Sequence, residues 1–179
     1  MNAQGGDYGH ALQAASARGH KEIIELLLER EADVNAQGGH YGNALQAASA
    51  RGHRDIIDLL LERGADVNAQ GGYFGNALQA ASFQGHIAAV TSLLRSGANA
   101  SCNHTIQLKI WDYGKGEHTL TVCNALHAAS LRGHGVVVKL LLNEGVAIMQ
   151  HIDAALDAAL EHGFNSIANF LIKHGAKKK

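Results

Sequence analysis

The chain is dominated by one segment of 33 residues that recurs along its length. Residues 2–34 (copy one) and 35–67 (copy two) are identical at 27 of 33 positions, and Asn68 opens copy three with the same letters, NAQGG. A Gly-His pair marks the first four copies, and its histidines are His20, His53, His86 and His134. They are separated by 33, 33 and 48 residues, so the last interval holds one repeat and an insertion. Internal repetition of this length predicts a solenoid of stacked units.

Copy two predicts a turn followed by two helices. Residues 37–42 carry three glycines and no apolar periodicity, as is typical of a tight turn or hairpin tip. Asn43 then stands at an N-cap position before a short, alanine-rich helix over 44–51. Gly52 ends that helix, and apolar residues at helical spacing predict a second helix over 53–63. Helices this short cannot bury their apolar faces alone, so the copies must stack.

This pattern resembles the ankyrin repeat. The Gly-His pair at 52–53 and the sequence LLERGADVN at 60–68 match the family's Gly-His and Leu-Leu-x-x-Gly-Ala-Asp-Val-Asn segments closely. The family's Thr-Pro-Leu-His box corresponds to NALQ at 43–46 and NALH at 124–127, and the chain contains no proline. The sequence motif NAQGGxYGNALQAAS is similar to those of ankyrin arrays at the C-terminal end of filamentous-fungal NACHT-type (NLR-like) signalling ATPases.

The resemblance implies an all-α ankyrin-repeat solenoid of about five helix-turn-helix repeats with β-hairpin fingers, in a single domain over 1–179. Copies four and five are expected at about 101–148 and 149–179, after copy three at 68–100, and copy five is interpreted as a C-terminal capping repeat. Apolar and polar residues alternate over 105–111 and 118–122, which predicts an elongated finger at about 101–123.

Two cysteines, Cys102 and Cys123, flank the base of this long finger and could be neighbours. No secretion signal precedes the first copy, so we expect both to stay reduced in the cytoplasm or nucleus.

Composition excludes several functional classes. The chain is 46% apolar with a net charge of −1, and no apolar run approaches the length of a membrane span. A general nucleic-acid binder would need a strongly basic face, so we expect none. The repeat histidines lie about one repeat apart, too far to share a zinc ion whose ligands sit about 2 Å away. Gly114-Lys115-Gly116 lacks the rest of a phosphate loop. We therefore expect no catalysis, no cofactor and no metal.

The first copy lacks a polar capping repeat. We expect Ile23, Ile24 and Leu27 to face missing neighbours, as in a piece of a longer array or a surface for self-association. Glu31 replaces the C-cap glycine, and keeping a positive φ there would cost about 1 kcal/mol.

By resemblance, ankyrin modules bind partner proteins with their finger tips and with the concave face of their first helices. The tip candidates are His40, Tyr41, Tyr73 and Phe74. The candidates at the ends of first helices are Arg18, Arg51, Phe83, Gln84, Leu131 and Arg132. Trp111 and Tyr113 are the candidates on the long hairpin. Three arginines on one side favour an acidic partner surface, and exposed aromatics are common interface anchors.

Packing alternatives stay open for several of these residues. Tyr41 and Tyr73 could pack between fingers, and Trp111 could fold back onto the helices. The sequence thus predicts a non-catalytic protein-recognition module. Its alternatives are a regulatory or substrate-recognition segment of a larger enzyme or NLR-like receptor, and a self-association module.

Overall fold

The computed structural model describes residues 5–101, 105–112, 116–144 and 151–178. Within them the chain forms pairs of helices, each a first helix followed by a second helix, and one two-stranded sheet. The helices are α1 (Ala11–Arg18), α2 (Lys21–Glu29), α3 (Ala44–Arg51), α4 (Arg54–Glu62), α5 (Ala77–Gln84), α6 (Ile87–Arg95), α7 (Ala125–Leu131), α8 (Gly135–Asn143), α9 (Ile152–Glu161) and α10 (Asn165–Lys173). The strands are β1 (Ile106–Asp112) and β2 (Gly116–Val122), which pair antiparallel.

Side-chain caps fix where the first helices α3, α5 and α7 begin. The Oδ1 atom of Asn43 accepts a hydrogen bond from the backbone N–H of Gln46 at 2.8 Å, and the Oε1 atom of Gln46 accepts one from the N–H of Asn43 at 3.1 Å. This reciprocal capping box satisfies two backbone donors at the start of α3. The side chains of Asn76 and Asn124 cap α5 and α7 by accepting from the backbone N–H of Gln79 and His127. Gly52 ends α3 in the left-handed region, at a φ of 73°.

The helices form two layers. The first helices α1, α3, α5, α7 and α9 pack side by side, and α4, α6, α8 and α10 form a second layer behind them. Between the layers, Leu45, Ile56, Ile57 and Leu60 of copy two are at most 1% exposed, and most of their equivalents in the other copies continue this core. No helix in the described ranges is long and apolar enough to cross a membrane.

Glutamine side chains bond each repeat to the next. The Nε2 atom of Gln46 donates to the carbonyl oxygens of Ala69 and Gly75 in copy three, each at 3.2 Å. Gln13 makes the equivalent bonds from copy one to copy two. A buried glutamine amide in the first helix of one repeat therefore holds the finger carbonyls of the next repeat. Each such finger is fixed in place by the helix of the preceding copy.

The recurring histidines also join adjacent repeats. The Nε2 atom of His86 lies 3.2 Å from the carbonyl oxygen of Ala50, and that of His134 lies 3.1 Å from the carbonyl oxygen of Phe83. Each ring bonds to the end of the preceding first helix. Gly52 makes room for it, because an added Cβ would lie 2.7 Å from the ring of His86. Among the residues described, no three side chains of metal-ligating type come together.

The insertion after copy three forms the predicted hairpin, although some predictions about it fall outside the described residues. Trp111 lies in β1, but its side chain is not among those described, and neither Tyr113 nor Cys102 is. Cys123 is half-buried and carries a free thiol. The roles predicted for Trp111 and Tyr113 therefore stay predictions.

The exposed end of copy one differs in part from the sequence expectation. Ile24 is fully buried, because α2 turns it towards the core, and Leu27 is half-buried. The side chains left uncovered are those of Ile23, 49% exposed, and Leu26, 51% exposed. Glu31 does adopt the expected left-handed conformation, with a φ of 61°, and among the described residues it is the one non-glycine with positive φ.

Candidate partner-binding surface

The finger tips of the first three copies are joined by backbone hydrogen bonds. The N–H of His40 donates to the carbonyl oxygen of Asp7 at 2.7 Å, and the N–H of Tyr73 donates to that of His40 at 2.8 Å. Gly72 permits this close approach, because a Cβ there would collide with the backbone of Tyr41. The tips are consequently held in register, and their side chains are presented as one row.

An aromatic row follows these tips. The rings of Tyr8 and Tyr41 stack with centroids 6.1 Å apart, and those of His40 and Tyr73 stack at 4.6 Å. Tyr73 then meets Phe74 edge-on at 5.0 Å. His40 is exposed, while Tyr41 and Tyr73 are half-buried and pack against a small core beside them. The two tyrosines thus pack between fingers, as the alternative interpretation had it, and still reach the surface.

Arginines at the ends of first helices lie over aromatic rings. The guanidinium carbon of Arg18 is 5.7 Å from the centroid of Tyr8, and that of Arg51 is 6.0 Å from the centroid of Tyr41. The Nε of Arg51 also donates to the hydroxyl of Tyr41 at 3.1 Å. These separations suit a cation–π contact. Tyr8 was missed by the sequence prediction, although it stands at the position of Tyr41 in the repeat.

Three of the predicted anchors are buried, so the expectation that they are exposed is wrong. Phe74 and Phe83 are each 6% exposed and Leu131 is 5% exposed. They form a second core with Ile106 and Val122, the paired residues at the base of the hairpin. Phe83 and Leu131 stand where copies one and two have an alanine, and they share this core with the base of the hairpin. Large residues on both sides of the insertion were the available signal.

The remaining predicted residues at the ends of the first helices do lie at the surface. Arg18, Arg51, Gln84 and Arg132 are all exposed. The guanidinium carbon of Arg132 lies 4.9 Å from the centroid of the Phe83 ring, so this arginine covers the second core. We call the exposed tips and helix ends together the finger–helix surface. It consists of Tyr8, Arg18, His40, Tyr41, Arg51, Tyr73, Gln84 and Arg132.

The finger–helix surface contains an open depression and one perturbed ionisable group. The depression lies between the first two finger tips, measures about 420 Å³ and is lined by residues including Asp7, Tyr8, His40 and Tyr41. Burial raises the pKa of the Tyr73 hydroxyl above its ordinary value, which already lies well above neutral pH. Such a surface offers aromatic area, hydrogen-bond donors and positive charge, which suits recognition of another molecule.

Comparison with known proteins gives matches to the fold and to a short segment. The structure resembles the human ASB11 ankyrin repeat domain with a TM-score of 0.72 and 26% sequence identity, covering 93% of this chain and 70% of that one. A 34-residue segment is 58% identical to azaphilone pigments biosynthesis cluster protein L of Monascus ruber. That match spans 19% of this chain and 7% of the Monascus ruber protein.

A sequence profile described as ankyrin repeats (3 copies) matches residues 1–71 and 78–179, which is nearly the whole chain. Together with the structural match it confirms the predicted all-α solenoid with hairpin fingers. Ankyrin repeats generally bind partner proteins and are typically non-catalytic. The chain belongs to the ankyrin-repeat family.

Proposed function

We propose that the finger–helix surface binds a partner protein that presents an acidic surface. The supporting observation is the row of exposed arginines, Arg18, Arg51 and Arg132, each placed over an aromatic ring. Holding a long side chain in place before binding lowers the entropic cost of immobilising it in a complex. Arginine and aromatic residues are also the types that contribute most to interface energy.

We propose further that this array is the recognition segment of a larger fungal protein, acting in the cytoplasm or nucleus. The resemblance of the finger sequences to fungal NLR-like arrays favours this context, as does the short segment shared with a much longer protein of Monascus ruber. A regulatory or substrate-recognition segment of a larger enzyme would use the same surface. In either context the array itself supplies binding and no reaction.

Site-specific cross-linking tests the proposed surface. A photoreactive amino acid at Gln84 lies on the finger–helix surface, and the same residue at Glu62 lies on the exposed side of α4. Both positions are exposed, so neither variant disturbs the core. In extract of the source organism, we expect a discrete cross-linked protein from position 84 and none from position 62. Equal cross-linking at both positions would contradict the proposal.

Long-hairpin variants extend this test. If Trp111 and Tyr113 contact the partner, Trp111→Ala and Tyr113→Ala should each reduce the cross-link formed from position 84. If both variants cross-link like the unmodified protein, the hairpin lies outside the partner surface. Thermal unfolding of each variant serves as the control for folding.

Self-association is a second candidate function, favoured by the uncovered end of α2. Ile23 and Leu26 are about half exposed there, whereas Ile56 and Leu59 at the same repeat positions are 1% and 9% exposed. Light scattering across concentration tests it. We expect mass to rise with concentration, and Leu26→Glu to abolish the rise. A monomer at all concentrations would remove this candidate.

A further inference from the structure

One repeat position forms a continuous exposed column along the finger–helix surface. It is the last residue of the first helix or the residue after it, and its five members are Arg18, Arg51, Gln84, Arg132 and His162, all exposed. The first helices that carry them pack directly on one another in sequence. Helices in contact lie about 8–10 Å apart, so neighbouring members of the column are about that far apart as well.

The geometry at Arg51 determines which of its hydrogen-bond donors remain available. Its Nε–H is occupied by the Tyr41 hydroxyl, and the ring of Tyr41 lies against the guanidinium group. The donors left over are those of the two terminal Nη atoms. These project as a fork at the end of the side chain, the arrangement that binds both oxygens of a carboxylate. Tyr41 thus positions Arg51 for an end-on, bidentate contact.

These arginines have no acidic partner in the part of the chain that the structure describes. The one ion pair between described side chains joins Arg54 and Asp58 at 3.5 Å, on second helix α4. Arg18, Arg51 and Arg132 are exposed and form none. Positive charge that is ordered and unpaired at a surface is electrostatically complementary to a negatively charged ligand.

Resting on the proposed function, we propose that the column binds an extended acidic segment of the partner, with carboxylates about three residues apart. In the polyproline II conformation a chain advances about 3.1 Å per residue with three residues per turn, so side chains three residues apart lie on the same side and span one repeat step. One carboxylate meets Arg18 and the next meets Arg51. The chain then passes the neutral Gln84, and a third carboxylate about six residues beyond the second meets Arg132.

A nucleic acid is the less favoured ligand. Its binding depends on many phosphate contacts and on a strongly basic surface. This chain carries a net charge of −1, and the column holds three arginines and no lysine. The spacing argument also favours a peptide, because every third side chain of a polyproline II segment points the same way and can be matched to a fixed repeat.

The test compares synthetic peptides by fluorescence anisotropy at low ionic strength. The first probe is a twelve-residue peptide with glutamate at every third position in a serine–glycine background. Its isomer carries the same glutamates in one block, and a third peptide replaces them with glutamine. We expect the spaced peptide to bind about tenfold more tightly than the block isomer, because only its carboxylates match the arginine positions. Equal binding of the two isomers would overturn the spacing.

Matched arginine variants identify the contact. Arg51→Ala should weaken binding of the spaced peptide by about tenfold or more, the typical range for a charge-assisted bidentate contact. Arg54→Ala removes the same charge from exposed α4 and should change binding by less than about twofold. Arg51→Lys keeps the charge but not the fork, so it should bind nearly as weakly as Arg51→Ala. An Arg51→Ala protein that binds like Arg54→Ala would overturn the inference.

The positioning role of Tyr41 has its own variant. Tyr41→Phe keeps the ring and removes the hydroxyl that holds Nε, so we expect binding to weaken about threefold. The preference for the spaced over the block peptide should shrink from about tenfold to about threefold in this variant, whereas a purely structural role would lower thermal stability and leave the preference intact.

Two further results separate this inference from the proposed function. Cross-linking of a partner from position 84, with no binding of either glutamate peptide, would overturn the acidic-segment inference and leave the proposed function standing. Absence of both the cross-link and the peptide binding would overturn both the proposed function and the acidic-segment inference. Tighter binding of a thymidine oligonucleotide than of the spaced peptide, dependent on Arg51, would identify a nucleic acid as the ligand and overturn the inference.

Discussion

Copies one and two have almost the same sequence and occupy different environments. They are identical at 27 of 33 positions, yet Ile23 is 49% exposed where its equivalent Ile56 is 1% exposed. Leu26 and its equivalent Leu59 differ in the same direction, at 51% and 9%. The sequence of the repeat therefore does not determine whether these side chains are buried. They are buried when a neighbouring repeat packs on the N-terminal side, and copy one has no such neighbour among the described residues.

The few sequence differences between the two copies also distinguish a less stable copy one from a more stable copy two. Asn43 caps α3 with its side chain, whereas His10 at the equivalent position makes no cap bond. Gly64 adopts a φ of 87° without strain, whereas Glu31 adopts 61° at the matching position. Copy one departs from the repeat at positions where copy two satisfies a backbone requirement, so it should be the less stable of the two.

The largest effect is expected from the pair of variants that tests the difference in burial between Ile56 and Ile23. Ile56→Ala should lower the free energy of unfolding by about 3 kcal/mol, because it leaves a cavity in a closed core. Ile23→Ala should lower it by about 1 kcal/mol or less, because that side chain is already half in water. Urea denaturation followed by circular dichroism measures both. Equal losses of unfolding free energy would contradict the comparison, because they would mean that Ile23 is covered in solution.

Two glycine variants distinguish the energetic cost of crowding the histidine contact between repeats from the cost of a left-handed backbone conformation. Gly52 and Gly64 both have positive φ, but a Cβ at Gly52 would meet the ring of His86 and one at Gly64 would meet nothing within 4 Å. Gly52→Ala should therefore destabilise by about 3 kcal/mol, from strain and overpacking together. Gly64→Ala should cost about 1 kcal/mol from strain alone. If the two variants unfold at the same urea concentration, the histidine contact adds nothing.

Restoring glycine to copy one should reduce the difference between the copies. Glu31→Gly removes the left-handed strain of a side-chain-bearing residue and should stabilise by about 1 kcal/mol. For a chain of this length that corresponds to a rise of about 2–4 °C in the midpoint of thermal unfolding. Glu29→Gly, on the exposed last turn of α2, is the matched control and should destabilise by up to about 1 kcal/mol. A falling midpoint for Glu31→Gly would contradict this account.

The smallest expected effect concerns pH and extends the comparison to copy four. Burial lowers the pKa of His127, to which His151 also contributes, while Asp157 and Glu161 act in the opposite direction. The unfolded chain then binds more protons than the folded one between the lowered pKa and about 6.5. Stability is fully present above that window and falls as the pH drops through it.

Replacing this histidine by the glutamine of copies two and three tests the effect. His127→Gln should unfold with a weaker dependence on pH between 7.5 and 5.5, because one titrating group is gone and Gln46 and Gln79 show that glutamine fits this position. Some dependence should remain, because burial also lowers the pKa of His134. An unchanged pH profile would show that His127 does not contribute.

The helices were predictable from the sequence because the repeat presents the same pattern several times. The first helix predicted over 44–51 is found at Ala44–Arg51, and the second, predicted over 53–63, at Arg54–Glu62. The hairpin strands, predicted over 105–111 and 118–122, also agree with β1 and β2 to within a residue or two. Caps, glycine stops and apolar spacing act locally, and so a local pattern is enough to locate these elements.

The surface was predictable only in part. Arg51 and Gln84 are exposed as expected, because the end of a first helix is defined by the repeat itself. Phe83 and Leu131 were expected at the surface because the repeat pattern predicted polar residues at those positions. Whether a large side chain at such a position is free or covered depends on where the hairpin lies, and that hairpin comes from a different part of the chain.

The repeating unit, the bounds of its helices and the stacking of its copies follow from the amino-acid pattern, because they depend on periodicity and on backbone capping within 33 residues. Three-dimensional packing establishes which side chains of nearly identical copies are exposed, which aromatic rings support arginines and which lie under the hairpin. These outcomes depend on contacts between residues far apart in sequence, where burial is a property of the neighbour as much as of the residue itself.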